Sequence, residues 1–300
     1  MIAFEALTKR YGAHVAVDGL TCRIEPGTVV ALLGPNGSGK TTSLKAAAGL
    51  VCPTAGRVLL GDPGVVATDP RARLAVSFLP QKVSFPDSLT GLEVAAFYGS
   101  LRGAQAGRVN DVLAFASLNG ASRRPVSTYS GGMVQRLGLA VAMLPEAPAI
   151  LLDEPTAALD PDGLDAFYRL VDDHQQRGRT VLFTSHQLGD AERLADRVVV
   201  LVAGRLVASL SKEALTQELA DRGVMRVRVE HPPVDLIERV HECAPQAAWR
   251  GDELIVPGPA TRRAMVVAQI QAAGASITSL TADEGRLDEF YRALVQGGAH

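Results

Sequence analysis

The sequence predicts an α/β fold. It has a mostly parallel core sheet covered on both faces, an antiparallel β subdomain beside it and a small α+β domain at the C-terminal end. Three observations carry this. Val29–Leu33, Ala149–Leu152 and Thr180–Thr184 are short and apolar throughout, with helix-like sequence between them. Strands hydrophobic on both faces, with helices in between, belong to a parallel sheet buried on both sides. The last third of the chain then carries a different, smaller pattern in the order β-α-β-β-α-β.

The opening segment differs from the core. Residues 4–11, 16–24 and 57–60 read as short strands joined by tight turns, which suggests antiparallel pairing. Polar, helix-favouring sequence over 212–222 marks a change of domain. Beyond it, strands are expected near 225–230, 246–249, 253–256 and 276–280, with helices near 234–243 and 261–273. That is the ferredoxin-like order. An amphipathic helix over 287–294 follows. The boundary is placed near residue 215, giving a domain over 1–214 and an accessory or regulatory domain over 215–300.

Bulk properties exclude several classes. The chain has 300 residues, 47% of them hydrophobic, and a net charge of −2, so nothing in its charge calls for nucleic acid. Cys22, Cys52 and Cys243 are scattered and form no C-x-x-C pair, which fits a reducing interior. No apolar run reaches the roughly 18 residues a bilayer span needs, and the first residues lack the form of a secretory signal. A cytoplasmic protein is expected, with any membrane role supplied by a partner.

Gly34-Pro35-Asn36-Gly37-Ser38-Gly39-Lys40-Thr41 matches G-x-x-x-x-G-K-[ST] between an expected strand and an expected helix, the context this loop requires. Glycines let backbone N–H groups turn inward around phosphate oxygens. The following helix points its positive end at the anion. Lys40 supplies a point charge for the β- and γ-phosphates, and Thr41 a hydroxyl for Mg²⁺.

Asp153 and Glu154 end an apolar strand, where ligands sit in such sheets. Asp153 can hold Mg²⁺ and Glu154 can take a proton from an attacking water. Such a pair alone is usually a solvated loop start; the upstream phosphate loop reverses that reading. His186 follows the third apolar strand, placed to meet a γ-phosphate. Gln81, after Phe78-Leu79-Pro80, offers an amide to the metal and water; by itself it is ambiguous.

Tyr129-Ser130-Gly131-Gly132-Met133-Val134-Gln135-Arg136 resembles the signature motif of ABC ATPases, and with the two motifs above the chain resembles that family over about residues 1–212. The resemblance implies a P-loop NTPase cassette with a helical signature subdomain. ATP and Mg²⁺ are its cofactors, and residues 34–41 with Thr42 are its nucleotide site. It also implies that Tyr11 stacks on adenine, that Gln81 is the Q-loop glutamine, that Asp160 belongs to the D-loop and that His186 is the switch histidine. Ser130, Gly131 and Gly132 would meet the ATP of a second subunit, ahead of a helix expected to begin near Met133. Tyr129 and Met133 depart from the commoner Leu and Gln.

With a single cassette, no long coiled coil and no membrane span, the chain reads as a stand-alone ATPase subunit. It would pair with a second copy and dock on an integral membrane permease at the cytoplasmic face. Phe85 and Leu89 either fill an apolar pocket at that docking site or pack a turn on their own domain. Leu79 to Phe85, Thr128 to Met133 and Leu287 to Arg292 further resemble the ATPase subunit of the copper-processing transporter that matures nitrous-oxide reductase. That likeness implies a periplasmic accessory protein. Multidrug and polysaccharide exporters share the Tyr-Ser-Gly-Gly-Met signature and stand as the alternative. His231, His241 and Cys243 lack ligand spacing and read as structural or surface residues. A hydrolysing motor is favoured over a non-hydrolysing nucleotide sensor, because Lys40, Asp153, Glu154 and His186 are all present. The C-terminal domain either braces two subunits or shields the cassette.

Overall fold

A computed structural model describes residues 1–105 and 107–297. The chain runs β1 (Ile2–Tyr11), β2 (His14–Ile24), β3 (Val29–Leu33), α1 (Lys40–Ala47), β4 (Ala55–Leu60), β5 (Val65–Val66), β6 (Val76–Leu79), α2 (Gly91–Arg102) and α3 (Arg108–Phe115). Then come α4 (Gly131–Met143), β7 (Ala149–Leu152), α5 (Pro161–Gln176), β8 (Thr180–Thr184), α6 (Leu188–Leu194), β9 (Arg197–Val202) and β10 (Arg205–Ser211). Two compact units form, Met1–Ser209 and Leu210–Gly297, dividing within β10, upstream of the expected boundary near residue 215.

The first unit holds two sheets. The core sheet has the order β10-β9-β3-β8-β7-β6, and β9-β3, β3-β8, β8-β7 and β7-β6 are parallel pairs. Every residue of β3, β7 and β8 is buried, which is why these strands read as unbroken apolar runs. The second sheet, β2-β1-β4-β5, is antiparallel. One apolar cluster joins the two, setting Phe4, Leu7, Val17 and Leu20 against Leu44 and Ala47 of α1 and Val30, Leu32 and Leu182 of the core strands. α1 is thus buried on both sides, and its N-terminus has a fixed position under the loop that precedes it.

α2 starts with a reciprocal capping box: Glu93 N–H donates to Thr90 Oγ1, and Thr90 N–H donates to Glu93. α4 starts at Gly131, two residues earlier than expected, because Ser130 serves as its N-cap and accepts from Met133 N–H at 3.2 Å.

The second unit contains α7 (Lys212–Asp221), β11 (Val224–Glu230), α8 (Leu236–Cys243), β12 (Ala248–Arg250), β13 (Glu253–Pro257), α9 (Ala260–Ala272), β14 (Ser276–Asp283) and α10 (Leu287–Gly297). Its antiparallel sheet has the order β12-β13-β11-β14, as a β-α-β-β-α-β chain produces. Met225, Val227, Leu254 and Val256 on one face pack against Leu236 and Val240 of α8 and Val266 and Ile270 of α9. Arg222 lies over the Phe290 ring of α10 at 4.9 Å. Among the described residues no helix is long and apolar enough to cross a membrane.

Candidate active site

The parallel order β3-β8-β7-β6 places the C-terminal ends of four strands side by side. Each end carries part of one cluster. β3 leads into the glycine-rich loop, β7 into Asp153 and Glu154, β8 ends in Thr184 before His186, and β6 leads to Gln81.

The loop from Gly34 to Thr41 needs its glycines. Gly37 and Gly39 have φ of 78° and 98°, which side-chain-bearing residues rarely adopt. A Cβ on Gly39 would also lie 2.4 Å from the carbonyl oxygen of Ala16. Lys40 is buried, and its Nζ donates to the carbonyls of Gly34 at 2.7 Å and Pro35 at 3.1 Å. Burial holds its pKa below the usual lysine value, although Glu154 and Asp153 pull the other way. An incoming polyanion would favour the charged form further. The cleft over this loop measures about 510 Å³ and is lined by Tyr11, His14, Asn36, Lys40, Thr42 and Glu154, among others.

Asp153 is almost fully buried, and burial raises its pKa. Its Oδ1 accepts from Thr41 Oγ1 at 3.0 Å and Thr184 Oγ1 at 2.9 Å, while its buried Oδ2 has no partner. Because the Thr41 proton points to Asp153, the lone pairs of its oxygen are free for a cation. An unpaired carboxylate oxygen beside a hydroxyl and a phosphate loop suits Mg²⁺, which takes few protein ligands and completes its shell with phosphate and water. Among the described residues, no group of three or more His, Cys, Asp or Glu side chains is gathered for a metal.

Glu154 has a left-handed backbone, φ 49°, a strained conformation of the kind found at functional sites. Thr184 Oγ1 accepts from its N–H at 2.7 Å. Gln81 Nε2 donates to Glu154 Oε2 at 2.6 Å, and His186 Nε2 contacts Glu154 Oε1. Gln81, Glu154 and His186 therefore meet at the edge of the phosphate cleft. The side chain of Glu154 is only 10% exposed, whereas that of His186 is 42% exposed.

Tyr11 closes the other side of the cleft. It is 50% exposed, and Lys9 Nζ lies over one face of its ring, 5.0 Å from the centre. Ser130, Gly131 and Gly132 lie elsewhere on the first unit and do not line this cleft. The backbone of Gly132 faces Asp160, the N-cap of α5, and Arg136 of α4 donates to Asp160 Oδ2 at 3.2 Å. Tyr129 donates to the carbonyl of Ala121 at 2.8 Å, and its hydroxyl occupies the space a Cβ on Gly91 would need. Phe85 packs edge-on against Tyr98 of its own domain, while Phe97 and Leu101 remain exposed.

Sequence reading assigned nothing to Thr184, Arg136 or Asp190. Thr184 was visible only as the last residue of an apolar strand, and Arg136 only as the end of a motif.

Comparison with known proteins agrees with this geometry. The family model described as ABC transporter matches residues 17–157. A Nod factor export ATP-binding protein of Burkholderia orbicola is 35% identical over 271 residues, 87% of this chain and 88% of that protein. A daunorubicin resistance ATP-binding protein of Streptomyces coeruleorubidus is 37% identical over 222 residues, 72% of this chain and 70% of that one. Among solved structures, a dimeric ATP-binding cassette in a post-hydrolysis state, bound to ADP and Pi, superposes with a TM-score of 0.65 at 27% identity. It covers 71% of this chain and 99% of that one. Phosphate loop, carboxylate pair, fold and relatives agree: the chain belongs to the ABC transporter family, as an ATP-binding ATPase cassette.

Proposed function

We propose that this chain is the ATP-hydrolysing motor subunit of an ABC exporter, working as one of a pair of cassettes beneath a separate permease. The observation that carries the proposal is the contact of Glu154 with both Gln81 and His186 at the rim of the phosphate cleft.

In this reading the amides of residues 34–41 and Lys40 bind the triphosphate, and Tyr11 stacks on the base. Thr41 and Asp153, with the Gln81 amide, would hold Mg²⁺, which would supply charge neutralisation to the phosphates. Glu154 accepts the proton of the attacking water. His186, on the exposed side, donates to the γ-phosphate and fixes the water in line. Ser130, Gly131 and Gly132 sit at the start of α4, away from their own cleft, and in the pair their N–H groups would meet the nucleotide of the second subunit. Asp160, tied to α4 through Arg136, would move with that edge. ATP favours the closed pair and ADP the open one, and the permease reads the difference.

The exposed Phe97 and Leu101 of α2, beside the segment after Gln81, offer an apolar surface to the permease. Export is preferred because the relatives named above include proteins of Nod factor export and daunorubicin resistance. A second reading, service to nitrous-oxide reductase maturation with a periplasmic accessory protein, rests on the three sequence stretches already given. The neighbouring open reading frames separate the two. Genes for a periplasmic repeat protein and a copper reductase would favour the second, and a lone permease gene the first.

Phosphate release by the purified subunit tests the core of the proposal. Wild type should release phosphate from ATP and Lys40→Ala should not. Equal rates would overturn it. The second unit is proposed to brace two subunits. Removing residues 215–300 should then weaken ATP-dependent dimerisation, whereas a mere shield would leave it unchanged.

A further inference from the structure

Asp190 lies in the first turn of α6 and is 3% exposed. A buried carboxylate is costly unless its oxygens are hydrogen-bonded. Here they meet three separate elements. Oδ2 accepts from Thr156 Oγ1 at 2.9 Å and Oδ1 from Tyr168 OH at 3.0 Å, while Ser185 Oγ lies 3.3 Å from Oδ2 and shares its proton between that oxygen and the Gln187 carbonyl at 3.0 Å.

The sequence positions of these partners matter. Thr156 is on the loop that leaves β7 just after Glu154. Ser185 immediately precedes His186. Ser185 Oγ also accepts from Gln187 N–H at 2.9 Å, so its hydroxyl spans the backbone of His186. Tyr168 belongs to α5, the helix that Asp160 caps. Arg193 lies 3.9 Å over the Tyr168 ring. Burial, followed by Asp190 itself, pushes the phenol pKa up, so Tyr168 stays a donor. On the other side, Thr184 joins Asp153 to the N–H of Glu154. Residues adjoining Glu154 and His186 in the chain are therefore tied by two hydrogen-bonded groups, one on Thr184 and one on Asp190.

We propose that Asp190 is a positioning residue for hydrolysis, holding the Glu154 loop and the His186 loop at the separation at which the two side chains meet. This rests on the roles proposed above for Glu154 and His186. Asp190 touches neither nucleotide nor water. It acts by fixing Thr156 and Ser185, and a displacement of about 1 Å at such a site costs up to about 10²-fold in rate.

The test is a double-mutant cycle on the full chain between Asp190→Asn and His186→Ala. Nucleotide titration gives the active fraction. Asp190→Asn keeps the side-chain size and loses one acceptor. It should lower kcat about 10- to 100-fold and leave KM for ATP within about twofold. In the His186→Ala background it should cost nothing further. Thr156→Val, which removes one bond at constant shape, should show a smaller fall confined to kcat, and it serves if Asp190→Asn folds poorly. Equal costs in both backgrounds, or a kcat per active site unchanged in Asp190→Asn and Thr156→Val, would overturn the proposal. A wild-type chain that releases no phosphate would instead overturn the hydrolytic reading beneath it.

Discussion

Gln81 donates to Glu154 across 2.6 Å, although the two are far apart in sequence and reach each other from different strands of the core sheet. The same carboxylate meets His186 with its other oxygen. In the role proposed for Glu154, a base held between an amide and an imidazole has its direction set before substrate arrives, a preorganisation that favours hydrolysis.

Glu154→Gln should therefore cut turnover by roughly 10²–10⁴-fold while ATP still binds. The replacement keeps the shape and removes the proton acceptor. Phosphate release and nucleotide binding, measured on one preparation, check this. Unchanged turnover would remove Glu154 from its role.

The metal-holding role proposed for Asp153 has a consequence for stability. Burial raises its folded pKa, so the native state binds this proton more tightly than the unfolded chain. Stability from this group is full below the unfolded value of 3.8 and is lost as pH rises through the raised folded value. Asp153→Asn should thus raise the Tm of the nucleotide-free protein at neutral pH, by about 2–4 °C for each kcal/mol relieved. It should also abolish the further stabilisation that Mg-ATP gives the wild type. A lower Tm without nucleotide would contradict the account.

Two loop glycines should respond differently to alanine. At Gly37 the new Cβ has nothing within 4 Å, so only the left-handed backbone is penalised, about 1–2 kcal/mol. At Gly39 the Cβ also strikes the Ala16 carbonyl at 2.4 Å, and the loop or β2 must shift. Thermal unfolding without nucleotide should show the larger loss for Gly39→Ala, and equal losses would refute the packing argument.

Tyr11→Ala should weaken nucleotide binding and leave turnover at saturating ATP nearly unchanged, because stacking on a base far from the γ-phosphate is uniform binding. Titration with a fluorescent ATP analogue reads the affinity. An unaltered affinity would argue against stacking.

How much of this was legible in the sequence follows from how each feature is encoded. The phosphate loop is contiguous, and its glycines are imposed by backbone angles, so a short string identifies it. β3, β7 and β8 are legible because burial on both faces leaves them apolar, apart from Thr180 and Thr184 at the ends of β8. β9 and β10, and β6 before Gln81, were not singled out as strands, and the edge strand β10 is only half-buried. The start of α4 was missed because Gly131 and Gly132 are poor helix formers; the Ser130 cap and the Asp160 contact outweigh that preference. Asp190, Thr184 and Arg136 stayed hidden because each acts across a strand order that no local pattern reveals. The Asp190 carboxylate is bound by Thr156 and Tyr168, and only the adjacency of β7 and β8 brings those residues to it.

The most direct measurement is the molecular mass in solution of Glu154→Gln with Mg-ATP and with Mg-ADP, by sedimentation or light scattering. The account predicts a dimer with ATP, because Ser130, Gly131 and Gly132 of each copy close over the nucleotide of the other, and a monomer with ADP. A chain that binds ATP yet remains monomeric at every concentration tested would contradict it.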